Sequence, residues 1–170
     1  MKNRSFDLIV YGATSFVGQI LTRYLFEHIG VGGKVSWAIA GRSEKKLSVL
    51  KSSLGSNADS LSVIVADASD EFALTTMCQS ARVIASTVGP YALYGEPLVK
   101  ACAENGTDYC DLCGEAYWIK AMILKYSDAA KASGARIVSC CGFDSIPSDL
   151  GVHFLQRQGK QRFGKYFDNI

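Results

Sequence analysis

The feature that most constrains this chain is a regular alternation. Short apolar runs, rich in β-branched residues, are each followed by a longer stretch with apolar residues at helical spacing. The short runs are residues 7–11, 35–40, 61–65, 82–86, 107–111 and 136–140. Between them, residues 17–28 put Val17, Ile20, Leu21, Tyr24 and Leu25 on one helical stripe, and residues 117–133 do the same with Trp118, Met122 and Tyr126. Ser43 can cap a helix that runs through Leu47 and Leu50, and residues 69–79, 95–105 and 148–158 read as further helices. Gly30, Gly32, Gly33 and Gly134 stop helices, while Gly89-Pro90 breaks the chain after the fourth run.

Strands alternating with helices predict a parallel sheet covered on both faces, with right-handed crossovers. Six such strands predict a doubly wound α/β fold of the Rossmann, dinucleotide-binding type, in the order 3-2-1-4-5-6. Residues 1–158 are expected to form this domain. Residues 159–170 mix basic and aromatic residues without periodicity and read as a linker or the start of a missing C-terminal substrate domain.

Composition narrows the function classes. With 170 residues the chain is long enough for one domain with its own core. A net charge of +2 is too small to favour nucleic acid or a membrane surface. No apolar run reaches the roughly 20 residues that span a bilayer. The N-terminus runs directly into a strand without a signal-peptide pattern, so the expected location is the cytoplasm. The six cysteines, Cys78, Cys102, Cys110, Cys113, Cys140 and Cys141, lie in apolar segments and are expected to be buried, reduced thiols. Cys110 and Cys113 have CxxC spacing, but no second pair follows at zinc-ribbon spacing, so no metal site is expected.

The first strand leads into Gly12-Ala13-Thr14-Ser15-Phe16-Val17-Gly18, and a helix follows at once. That context is what a pyrophosphate site requires: glycine for a tight turn, backbone N–H groups at a helix N-terminus, and a dipole that favours an anion. Ser15 stands where related loops carry glycine and is small enough to offer a hydroxyl to phosphate. At the end of the second strand an NAD site would present a carboxylate to the ribose 2′-OH. This chain has Arg42 there, followed by Ser43, Lys45 and Lys46. A guanidinium can hold a 2′-phosphate with two charge-assisted bonds, so NADP(H) is expected over NAD(H).

Ligands of such sheets lie beyond the carboxyl ends of the strands. Asp67 and Ala68 end the third strand, where Asp67 can meet the adenine amine. Val88, Gly89, Pro90 and Tyr91 follow the fourth, where Gly89 permits close backbone approach to ribose or nicotinamide. Tyr91, Tyr94, Asp111, Glu115 and Asp144 are candidate proton donors or substrate contacts, and no catalytic residue is assigned among them.

Several segments together resemble the saccharopine dehydrogenase-like oxidoreductases, a group that includes the trans-acting enoyl reductases. They are Gly12-Ala-Thr-Ser-Phe-Val-Gly18, Ala38-Ile-Ala-Gly-Arg42-Ser43, Val88-Gly-Pro-Tyr91, Tyr109-Cys-Asp-Leu-Cys-Gly-Glu115 and Gly142-Phe-Asp-Ser-Ile-Pro-Ser-Asp-Leu-Gly151. The last is the most specific. Ser15 departs from the family's usual glycine, and Cys110 and Cys113 from its usual apolar residue and threonine. The resemblance implies an NAD(P)H-binding Rossmann domain, followed in a chain more than twice as long by an α/β domain that shapes the substrate site. Three functions are open on the residues alone. They are a hydride-transfer enzyme acting on a carbonyl, imine or enoyl substrate, a non-catalytic NADPH sensor, and an interaction domain on the same scaffold. The surface around Tyr91, Tyr94 and Phe143 is expected to be open or filled by a partner, with a homodimer as one outcome.

Overall fold

A computed structural model describes residues 4–170. Its six strands are β1 (Phe6–Tyr11), β2 (Trp37–Gly41), β3 (Ser62–Val65), β4 (Ala81–Ser86), β5 (Asp108–Asp111) and β6 (Ile137–Val138). All pairings are parallel and the order is β3-β2-β1-β4-β5-β6, the topology expected from the alternation. The helices are α1 (Phe16–His28), α2 (Glu44–Ser53), α3 (Glu71–Ser80), α4 (Tyr91–Tyr94), α5 (Glu96–Asn105), α6 (Ala116–Ser133) and α7 (Ile146–Phe163).

The pleat of the central strands divides the core into two layers. Val10 and Ile39 face one side and pack with Leu25 of α1 and Leu47 and Leu50 of α2. Ile9, Tyr11, Ala38, Ile84 and Tyr109 face the other and pack with α3, α5 and α6 through Leu74, Met77, Leu98, Met122 and others. Burying each large side chain contributes roughly 1.5–3 kcal/mol, so these layers, rather than helix propensity, hold the elements in place. Local signals set the helix starts. The side chains of Ser15, Ser43 and Asp70 accept from the backbone N–H of Gly18, Lys46 and Ala73. Glycines in the left-handed conformation end α5 at Gly106 and α6 at Gly134.

Three details differ from the expectation. The sixth strand is two residues long rather than five, because Asp111 draws the chain out of the ladder. The N–H of Cys140, whose φ is 63°, donates to Asp111 Oδ1, and that of Cys141 donates to the Asp111 carbonyl. The short helix α4 fills what reads in sequence as a break after Pro90. The last helix continues through Gln158 to Phe163, where Gly164 caps it, so residue 158 is not a break in secondary structure.

The layering makes a testable distinction between two large apolar side chains. Ile84→Ala removes a fully buried side chain from the central sheet and should cost about 2–5 kcal/mol in urea denaturation. Phe72→Ala removes one that is 83% exposed and should change stability by about 0.5 kcal/mol or less.

Candidate functional site

The turn after β1 is built by a close approach. Gly12 has φ +84°, and its N–H donates to the Ala40 carbonyl at 2.9 Å. A Cβ there would lie 2.7 Å from Val88 Cγ2 and 2.8 Å from Thr87 Oγ1. Gly18 is tighter still, since a Cβ on it would lie 2.2 Å from the Gly12 carbonyl oxygen. Both positions therefore exclude every residue but glycine. Their contact sets the first turn of α1 directly over the carboxyl ends of β1 and β4.

Three hydroxyl and carbonyl groups lock this turn. Thr87 Oγ1 donates to the Gly12 carbonyl at 2.9 Å, and Ser15 Oγ lies 2.9 Å from Thr87 Oγ1. A hydroxyl has one proton, so with Thr87 donating to Gly12, Ser15 must donate to Thr87. Ser15 Oγ also accepts from Gly18 N at 2.9 Å. In this arrangement the Ser15 hydroxyl bridges the start of α1 and Thr87. The N–H groups of Thr14, Phe16 and Val17 find no acceptor among the described residues. They are the donors that the loop, with Ala13 buried beneath it, presents at the helix N-terminus.

At the end of β2, Arg42 is exposed and makes no ion pair or hydrogen bond among the described residues. Ser43 Oγ accepts from Lys46 N at 3.4 Å, and the Lys46 side chain is exposed beside it. Asp67 Oδ1 accepts from Ser69 N and Ser69 Oγ at 2.9 and 2.7 Å. These bonds, with a smaller contribution from the Arg42 charge, hold its carboxyl below the usual carboxylate range. Ala68 is half-buried next to it. The structure thus gathers the loop, Arg42, Ser43, Lys46, Asp67 and Ala68 along one edge of the sheet.

Beyond β4, Val88 is half-buried against Gly12, and Gly89 and Pro90 are exposed. Tyr91 corrects the expectation of an open aromatic surface. Its side chain is buried, its hydroxyl donates to the Ser86 carbonyl at 3.1 Å and receives the Leu112 N–H at 3.4 Å, and burial pushes its phenol well up. Tyr94 and Phe143 are exposed as expected, Phe143 almost completely. Asp111 is also buried and accepts from Tyr109 Oη, Ser139 Oγ, Cys113 N and Cys140 N. Of the candidate proton donors, Tyr91, Asp111 and Glu115 are therefore occupied with internal bonds, while Tyr94 and Asp144 remain at the surface. A crevice of about 460 Å³ opens between α1 and the ends of β4, β5 and β6, lined by Val17, Thr87, Cys110, Cys141, Phe143 and Asp144 among others.

The cysteines are less uniformly buried than their apolar setting suggests. Cys141 is exposed, and Cys110 and Cys140 are half-buried. All six are unpaired, with Cys78 and Cys102 Sγ 3.5 Å apart. Burial raises the Cys110 and Cys113 thiols to about 11, which keeps them protonated at neutral pH. Among the described residues no group of three or more His, Cys, Asp or Glu side chains is arranged to hold a metal ion. None of the helices described is long and apolar enough to cross a membrane.

Two features escape sequence reasoning. The hydroxyl chain joins Ser15 to Thr87 across 72 residues, and Glu115 reaches back 24 residues to the start of α4. No local spacing signals either contact.

Comparison with known proteins places the chain in a family. The family model of the saccharopine dehydrogenase NADP binding domain matches residues 8–138. A lipid droplet localized protein of Caenorhabditis elegans is 47% identical over 156 residues, which cover 89% of this chain and 36% of that protein. A trans-acting enoyl reductase of Mycobacterium tuberculosis is 46% identical over 155 residues, covering 91% of this chain and 36% of that one. The chain thus spans little more than a third of the length of these relatives. Apo saccharopine dehydrogenase (L-Glu forming) from Saccharomyces cerevisiae aligns in structure with a TM-score of 0.64 at 17% identity, over 91% of this chain and 32% of that one. At that identity the likeness is one of fold.

The locked turn predicts the effect of a near-isosteric change. Thr87→Val leaves the Gly12 carbonyl and the Ser15 hydroxyl without their partner. It should cost about 1–3 kcal/mol of stability, read as a lower urea midpoint at unchanged slope.

Proposed function

The chain belongs to the saccharopine dehydrogenase NADP-binding domain family, and from that premise we propose that it binds NADP(H) in preference to NAD(H) as the cofactor module of a hydride-transfer oxidoreductase. The observation that carries the preference is Arg42, an exposed guanidinium with no ion-pair partner among the described residues, where an NAD site would hold a carboxylate. An anion there would repel a 2′-phosphate, whereas a guanidinium can take it by two parallel bonds, with Ser43 and Lys46 adjacent.

The residues present fit a dinucleotide on their own geometry. Gly12 and Gly18 leave a cradle that a Cβ would fill, and three unpartnered N–H groups at the start of α1 suit a pyrophosphate. Asp67 keeps its Oδ2 clear of the Ser69 bonds and so has an acceptor for an adenine amine. Val88, Gly89 and Pro90 form the wall on the nicotinamide side, where Gly89 exposes its backbone. When bound, the cofactor would supply the hydride chemistry, and the protein's part is to bind, orient and shield it. The substrate is proposed to be a carbonyl, imine or enoyl compound, admitted through the crevice beside Phe143 and Asp144. The chain spans little more than a third of the relatives' length, and a further domain in a longer protein would complete that site.

Calorimetric titration tests this reading. NADPH should bind about tenfold to a hundredfold more tightly than NADH, since each charge-assisted bond is worth roughly 1.5–3 kcal/mol before solvent weakens it. Arg42→Ala should remove most of the difference and leave NADH affinity nearly unchanged. Added salt should narrow the gap. Equal binding of both cofactors by the wild type, or equal weakening of both by Arg42→Ala, would sink the assignment. The proposed location is the cytoplasm. Recovery of the tagged chain with floating lipid droplets on cell fractionation, in line with the name of the nematode relative, would overturn that.

A further inference from the structure

Glu115 has a place in the fold that neither the phosphate loop nor the Arg42 site explains. It occupies the N-cap position of α6, yet its side chain makes no capping bond to that helix. The carboxylate is turned toward the previous crossover instead. Oε1 accepts from Tyr91 N at 2.7 Å and Oε2 from Ala92 N at 2.9 Å. These are the first two N–H groups of α4, whose own N-cap residue, Pro90, has no side chain able to accept them. A carboxylate from the loop after β5 thus supplies what a local serine or aspartate normally would, through two short charge-assisted bonds.

The same two loops are tied at other points. Tyr91 Oη links the Ser86 carbonyl to Leu112 N. The Tyr91 ring lies against Trp118 with centroids 5.6 Å apart, and Gly95 gives the indole room, since a Cβ there would lie 2.5 Å from it. The segment 88–91 is therefore clamped between the ends of β4 and β5. Its Val88 side chain stands against Gly12, so the clamp bears on the wall of the cofactor crevice. In this fold the adenosine half of a dinucleotide lies over the β2 and β3 ends and the nicotinamide half over the β4 and β5 ends. Glu115 touches only the second.

We propose that Glu115 is a positioning residue for the nicotinamide half of the bound dinucleotide, acting through the segment 88–91; this rests on the cofactor reading above. The test compares two probes, NADPH and its fragment 2′,5′-ADP, on the wild-type chain, Glu115→Ala and Glu115→Gln. Calorimetry gives affinity, and the fluorescence of the reduced nicotinamide reports its surroundings. Glu115→Ala should weaken NADPH by about tenfold and shift its bound fluorescence toward that in water, while 2′,5′-ADP changes by less than about twofold. Glu115→Gln keeps one acceptor but sets an amide N–H against a backbone N–H, so a loss of about threefold is expected. It is nearly isosteric and carries the test if the alanine variant does not fold. A role confined to stability would lower the melting temperature and move both probes alike or neither. NADPH affinity unchanged in both variants, or both probes weakened by the same factor, overturns the inference. So does a wild type that binds the two probes equally, because the nicotinamide half would then contribute nothing to position. A wild type that binds neither probe overturns the cofactor reading and this inference with it.

Discussion

Everything at the carboxyl edge of this sheet depends on one close approach, the backbone of Gly18 against the carbonyl of Gly12. With 2.2 Å between that oxygen and the position of a Cβ, no side chain can stand there. The consequence is geometric. The first turn of α1 comes down onto the β1 turn, its free N–H groups face the strand ends, and the positive end of the helix dipole is placed where an anion would lie. Thr87 completes the constraint from β4 by bonding the same carbonyl, so the turn cannot open without breaking contacts to two strands.

This constraint also explains what was legible in the sequence. A glycine six residues before another, between a strand pattern and a helix pattern, is a local statement, and so is the alternation that sets the sheet order. Arg42 was readable for the same reason, since its place one residue after β2 follows from the strand itself. Elements failed to show where distant groups intervene. The sixth run has strand composition through Cys140, but Asp111 takes the N–H groups that would have extended the ladder. Residues 91–94 have no amphipathic period long enough to announce a helix, and α4 exists because Glu115 satisfies its first donors from another crossover. Ser15 shows the same limit at the level of one atom. Its identity suggests a phosphate ligand, and only the approach of Thr87 shows where its proton goes.

The aromatic residues divide along the same line. Tyr91 and Tyr94 are three apart on one short helix, and in sequence both follow a strand end equally well. One turns inward because Ser86 and Leu112 provide a donor and acceptor pair for its hydroxyl and Trp118 a ring to lie against. The other has no such pocket and stays at the surface. A buried phenol with both bonding roles used is a structural tie, and its raised pKa follows from burial, without implying proton transfer.

The strand ends carry carboxylates at Asp67, Asp111 and Glu115, with an exposed fourth at Asp144, on the edge where a polyanion would bind. Unbalanced, they would oppose it. The first three are instead met by donors from the protein: two bonds from Ser69 to Asp67, two from the start of α4 to Glu115, and four to Asp111 from β5, the loop after it and the β6 end. Donors aimed at a carboxylate offset its field nearby, as cations would, without bringing a mobile charge into the crevice. Arg42 and the N–H groups of Thr14, Phe16 and Val17 in the loop after β1 have no partners among the described residues. Arg42 and these N–H groups are thus left free to meet an anion, on a chain whose net charge is only +2. Selectivity for an anionic ligand can arise in this way from which charges are already satisfied, with the number of charges contributing little.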